Sequence, residues 1–191
     1  AIFRSDYDDK QESILIPVDL SNVATVVRNA SSLEMTGLEL EVMYQVTQAW
    51  NVMATYGYLD SEYADYLADL TGDNIVTDNS ALVPRNTPKN TFGLTTSYTA
   101  KVGNGDLKAR ISYRHRSDME TNSSNNPLGT LDSISNVNAT VSYTIDNYGV
   151  SLWGRNITDQ REERWATIGG LTSRGWWNEP ATYGVTVSAS F

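Results

Sequence analysis

From Ala181 onward, the alternate positions Ala181, Tyr183, Val185, Val187, Ala189 and Phe191 are apolar, while Thr182, Gly184, Thr186, Ser188 and Ser190 are small and polar. Strict period-two segregation predicts a β-strand whose two faces meet different surroundings. A strand of a soluble sandwich carries Lys and Glu on its wet face. A face of Ser, Thr and Gly fits a crowded polar lumen better.

The pattern recurs along the chain. Val137, Ala139, Val141, Tyr143 and Ile145 oppose Asn136, Asn138, Thr140, Ser142 and Thr144. Leu107, Ala109, Ile111 and Tyr113 oppose Lys108, Arg110, Ser112, Arg114 and, one step on, Arg116. Similar alternation covers 91–100, 50–58, 37–46 and 148–153. The first segment, about 1–14, is the least regular; its Ala1, Phe3 and Tyr7 are expected on the lipid side. Eight strands result, long enough for tilted crossings of a bilayer, which need roughly 9–11 residues.

The connections alternate. Thr47-Gln48, 101–106 and 145–147 are tight, whereas 15–32, 60–88, 118–132 and 158–179 are long. All long connections therefore fall on one rim, as in outer-membrane barrels with short periplasmic turns and long extracellular loops. The last strand then runs from outside to the periplasm and ends on Phe191. Tyr98, Tyr143 and Tyr148 lie near the tight turns, where an aromatic girdle belongs.

Composition agrees with a barrel that hides half of each strand from a hydropathy window. Only 40% of the 191 residues are hydrophobic, with 11 Tyr and 5 Trp against 3 Phe. No run approaches the roughly 18 apolar residues of a membrane helix. A formal net charge of -9 argues against a nucleic-acid partner. Six acidic residues and no Lys or Arg lie between Asp60 and Asp78, without the spacing of a calcium loop. The absence of Cys excludes disulfides, thiolate metal sites and Cys nucleophiles. The chain opens on Ala1-Ile2-Phe3 rather than Met, so processing or truncation of its start is expected.

Four stretches, in this order, resemble the C-terminal part of TonB-dependent receptors: Gly37-Leu38-Glu39-Leu40-Glu41, Val83-Pro84-Arg85-Asn86-Thr87-Pro88-Lys89-Asn90, Arg155-Asn156-Ile157-Thr158-Asp159, and the terminal strand closing on Phe191. The resemblance spans the chain. It implies an all-β, antiparallel up-and-down transmembrane barrel, with residues 1–191 supplying the last eight strands of a plugged barrel of about 22. The plug domain and earlier strands are expected to be absent. The implied protein is no enzyme, needs no cofactor or metal, and resides in the bacterial outer membrane. Its implied partners are membrane lipid and lipopolysaccharide, TonB through the missing N-terminal region, the barrel-assembly machinery, and a scarce nutrient, most commonly a ferric siderophore.

The resemblance also assigns residues. Lumen glutamates of the family pair with plug arginines, and Glu39 and Glu41 match that position; solvated lumen charge is the plainer alternative. Tyr183, Val185, Val187 and Phe191 resemble the signal read by the assembly machinery. From the residues themselves, Arg161, Arg164, Trp165 and Arg174 in the last loop suit a flat anionic ligand through stacking and charge-assisted contacts. The neighbouring Trp176 and Trp177 suit the headgroup rim. The row Lys108, Arg110, Arg114 and Arg116 would either steer an anion down the lumen or neutralise carboxylates on neighbouring strands or the plug. Two other readings stay open. One is an independent eight-stranded adhesion or interaction barrel. The other is a barrel phospholipase using His115 and Ser117, although Asp118-Met119 stands where that family has Asn-Gly.

Overall fold

The computed structural model describes residues 1–17, 23–161, 163–169 and 172–191; the side chains at 15, 17, 23, 30, 164–169 and 172–174 lie outside that description. Eight strands form one antiparallel sheet in sequential order: β1 (Ile2–Pro17), β2 (Val23–Gln45), β3 (Trp50–Ala68), β4 (Asn90–Val102), β5 (Gly105–Arg116), β6 (Ile134–Ile145), β7 (Tyr148–Arg155) and β8 (Thr182–Ala189). Among the described residues the sole helical turn is the 3-10 turn Pro127–Gly129, capped by Asn126. The sheet stays open, since β1 and β8 are not neighbours.

Register carries the two-faced pattern across the sheet. Glu41 pairs with Thr55, Thr55 with Gly93, Gly93 with Arg114, and Arg114 with Asn136. Ser142 pairs with Ser151, which pairs with Thr186. Every residue in these rows belongs to the polar set, so seven strands share one polar face. The other face carries Leu40, Val42, Ile111, Val141, Leu152 and Val185, all exposed. A single-layer sheet with one apolar and one polar face has no core of its own; lipid is the solvent that covers it.

Backbone chemistry explains the tight turns. Asp146 (φ 50°) and Gly103 (φ 59°) adopt the left-handed conformation that two-residue hairpins require. At the third turn the Thr47 hydroxyl accepts hydrogen bonds from the Ala49 and Trp50 amides, at 3.2 and 3.1 Å.

The sequence expectation needs correction near the start of the chain. Residues 15–32 are strand on both sides of 18–22, not a long loop, and β3 runs to Ala68 through half of the acidic stretch. β-branched residues such as Thr25, Val26 and Val27 favour extended backbone, and cross-strand pairing continues past the bilayer. β2 has 23 residues, about twice what a tilted crossing needs. The expected lipid-side set is corrected too. Phe3 pairs with Gly37, which puts Ala1, Phe3 and Tyr7 on the polar face. A side chain at Gly37 would overlap the Phe3 ring.

The projecting ends build the one buried apolar cluster among the described residues: Ile14, Leu33, Tyr63, Tyr66 and Ala68, flanked by Ile16, Met35, Leu70 and Leu82. Loop 69–89 closes over it. Loop 117–133 joins in, with Asn125 clasping the Val83 backbone in both directions (2.6 and 2.9 Å) and Ser123 Oγ donating to the Ser13 carbonyl at 3.0 Å.

Candidate functional site

The polar face is electrically divided. Glu39 and Glu41 on β2 are exposed, and among the described residues neither has an ion-pair partner. β3 and β4 follow with Asn51, Met53, Thr55 and Gly57, then Thr91, Gly93, Thr95 and Ser97. Lys108, Arg110, Arg114 and Arg116 then line β5. Glu41 and Arg114 stand in one row, three strand spacings or about 14 Å apart. At that distance in a water-filled lumen their attraction is about 0.3 kcal/mol, and physiological salt screens it further. The acidic and basic strands therefore act independently.

Among the described residues, the strands beside β5 present Thr, Ser, Gly and Asn on this face, with no carboxylate opposite Lys108, Arg110 or Arg114. The exception lies at the turn end, where Asp106 is taken by Lys101 at 2.9 Å. Arg116 donates to the Ser117 and Asp132 carbonyls at 2.6 and 3.1 Å, which ties it to the rim loop.

Sequence reasoning passed over the rest of the basic wall. Arg155 ends β7 on the same face, its guanidinium 5.4 Å from the Trp153 ring centre. Trp153 lies across Gly184, where a side chain would collide with its indole, and its Nε1 donates to Thr186 Oγ1 at 3.1 Å. Beside it runs a cleft of about 330 Å³ between Arg114 and Arg155. Trp153 is visible in the sequence as the sole aromatic among small alternate positions of its strand.

The other motifs are structural clamps. Buried Asn156 (φ 46°) donates through Nδ2 to the Gln160 and Glu179 carbonyls at 3.0 and 2.9 Å, and Asp159 accepts from the Ala181 amide at 2.8 Å. Together they fasten the start of β8 to the end of β7. Arg85 serves the rim: it reaches 3.4 Å from Glu12, which has no solvent exposure and also binds Lys10 and the Tyr63 hydroxyl (3.0 Å). Burial, then the Glu12 charge, raise the Tyr63 hydroxyl above its ordinary pKa and push Tyr66 up to about 12. Glu12 gave no sequence signal, because its partners Tyr63 and Arg85 lie 51 and 73 residues away.

The last loop is partly strand. Glu163–Gly169 and Thr172–Trp177 pair as a hairpin in which Trp165 faces Trp176 in register. Arg161, Trp176 and Trp177 are exposed; the side chains of Arg164, Trp165 and Arg174 lie outside the described residues. Tyr183, Val185 and Val187 are exposed on the apolar face of β8, and Phe191 lies beyond its end. His115 does not meet Ser117: its Nδ1 is 2.9 Å from Ser135 Oγ, while Ser117 Oγ accepts from the Asn90 amide at 3.1 Å. The phospholipase arrangement is not formed.

On the apolar face the hydrophobic band ends in paired charges. Arg4 meets Asp6 (3.1 Å) and Glu34 (2.7 Å), and Lys89 meets Asp60 (3.3 Å). Register places them just beyond Leu38 and Tyr58, toward the long-loop rim. This marks the outer limit of the lipid-covered surface.

Several solved structures share this architecture. The ferric yersiniabactin uptake receptor FyuA from Yersinia pestis matches all of the chain with a TM-score of 0.75 at 15% identity. The siderophore receptor PiuA from Acinetobacter baumannii matches 98% of it with a TM-score of 0.70 at 22% identity. The ferric-catecholate import receptor Fiu from E. coli matches all of it with a TM-score of 0.68 at 19% identity. The chain spans 27%, 25% and 24% of their respective lengths. These likenesses concern the fold. The sequence itself matches the family model described as TonB dependent receptor-like, beta-barrel, over residues 1–157. The polar lumen wall, the lipid-covered face and the loops gathered on one rim are thus those of an outer-membrane receptor and not of an enzyme, and the chain belongs to the TonB-dependent receptor β-barrel family.

Proposed function

We propose that the chain is the C-terminal sector of a transporter that takes up a ferric siderophore across the outer membrane, energised through TonB. The family match carries this reading. The similar solved structures, described as a ferric yersiniabactin uptake receptor, a siderophore receptor and a ferric-catecholate import receptor, support the ligand class. The open edges of the sheet support a sector of a wider, plugged barrel over an independent small one, which would close on itself.

In this reading Glu39 and Glu41 hold plug arginines, and the absence of a partner within the sheet leaves them available for it. Lys108, Arg110 and Arg114 set a positive potential along the lumen wall that draws an anionic complex inward. The hairpin bearing Arg161, Arg164, Trp165 and Arg174 contributes to capture at the mouth. Tyr183, Val185, Val187 and Phe191 present the strand read by the assembly machinery, and the charged belt meets lipopolysaccharide. The test is uptake of radioactive ferric siderophores by iron-starved cells that depend on the full-length receptor. Uptake of at least one complex should vanish when TonB is inactivated. Uptake unaffected by that loss would remove the energised-transport reading.

A further inference from the structure

The cleft between β5 and β7 has features that steering alone does not explain. Arg114 pairs in register with Asn136 on β6, and Arg155 lies one residue past Gly154, which pairs with Ala139. The two arginines therefore flank β6 from either side, about 12 Å apart at the backbone, with Asn136 and Asn138 between them. Among the described residues neither guanidinium has a carboxylate partner. Arg155 stands with its guanidinium 5.4 Å from the Trp153 ring centre, within cation–π range. The Asn138 side-chain Oδ1 accepts from the Asn156 backbone amide at 2.9 Å, and its NH₂ has no partner among the described residues. Buried Asn156, 3% exposed, fixes the upper edge of the cleft.

We propose that Arg114, Arg155, Asn136 and Asn138 form an anion cradle in the lumen wall, for a compact oxygen-rich anion of the polycarboxylate or catecholate type. Two forked cations facing each other across amide donors match several negative oxygens around one centre. A volume of about 330 Å³ suits one such group rather than a whole large ligand. Glu179 also lines the cleft, where its single negative charge is outnumbered by the two arginines. The cradle rests on the uptake reading for its place in transport, but not for its chemistry.

The test uses full-length receptor in detergent: wild type, R114Q, R155Q and the double variant. Iron-free citrate, a ferric tris-catecholate and a charge-neutral ferric trihydroxamate are titrated calorimetrically at low and physiological salt, and heat-modifiable mobility checks the fold. Each single variant should bind an anionic probe about tenfold more weakly. The double variant should bind it at least tenfold more weakly with a flatter salt dependence, while the neutral complex is unchanged. If no anion loses tenfold in the double variant, or if the neutral complex weakens equally, the cradle is overturned. Citrate binding lost in the double variant, with neither ferric complex bound by wild type, would uphold the cradle and remove the siderophore reading. Ferric complexes bound alike by all four proteins would do the reverse.

Discussion

The sheet below the long loops and the assembly above them obey different solvents. In the wall, residues such as Leu40, Val42, Leu152 and Val187 stay exposed, and no second layer packs on them. In the rim assembly Tyr66 and Glu12 are fully buried, and an apolar cluster forms between β1, β2, β3 and loop 69–89. The wall uses lipid as its hydrophobic phase, so its strands need only paired backbone and the right faces. The rim stands in water and must bury its own apolar surface, as a soluble domain does. One continuous β2 serves both regimes, and the change falls near Gly37.

The comparison breaks most visibly at Tyr66. Tyr66→Ala should cost the rim about 3–5 kcal/mol, since an aromatic deleted from a packed site leaves a cavity. Leu40→Ala should cost only about 2 kcal/mol of membrane transfer, because lipid fills the space. Hydrogen exchange should rise in 60–85 for the first variant alone, with heat-modifiable mobility kept in both. Equal effects at the two sites would mean that the regimes are not distinct.

Glu12→Gln comes next. Removing one member of a buried ion group costs about 3–5 kcal/mol, and the lower end applies because Lys10 and Arg85 keep 26% and 31% side-chain exposure. Limited proteolysis should cut loop 69–89 faster, and adding Lys10→Met should recover part of the loss. Wild-type proteolysis would show the group to be dispensable.

Alkaline titration separates the regimes without mutation. Tyrosine in the unfolded chain ionises near 10, and Tyr66 is held to about 12. The folded rim thus keeps a proton that the unfolded chain gives up. Its stabilising contribution is complete below pH 10 and is lost as pH rises toward about 12. Rim hydrogen bonds should open in that window, followed by phenolate absorbance, while the wall keeps its β-sheet circular dichroism. Simultaneous loss of both would make rim and wall one cooperative unit.

The smallest effect is expected at Glu39 and Glu41. Glu39→Gln with Glu41→Gln in the full-length receptor should loosen the plug by well under the 3–5 kcal/mol of a dry ion pair, because both carboxylates face a wet lumen. Larger single-channel conductance at unchanged barrel melting would bear this out. Unchanged conductance would return the pair to solvated lumen charge.

The wall was legible from residues such as Val185 and Thr186, whose alternation needs no tertiary information: each strand touches the same two media, so local pattern is enough. The β1 face was misread because its alternation is broken by a register shift between Tyr7 and Lys10, and only pairing with Gly37 shows which side Phe3 occupies. In the candidate site the cation row of β5 was readable. The cleft was not, because Arg155 joins Arg114 only through the order of β5, β6 and β7.

By itself the sequence determined eight wall strands, the two faces of every strand but the first, the sorting of loops onto one rim and the resemblance to a receptor family. Tertiary structure alone decided that 15–17, 23–32 and the first half of the acidic stretch are strand, that Glu12 is buried between Lys10, Tyr63 and Arg85, and that among the described residues no carboxylate stands opposite Lys108, Arg110 or Arg114. The reason is range. Facing lipid or lumen is imposed residue by residue along a strand. Burial of a charge and the emptiness around a cation depend on what distant segments bring to the same place.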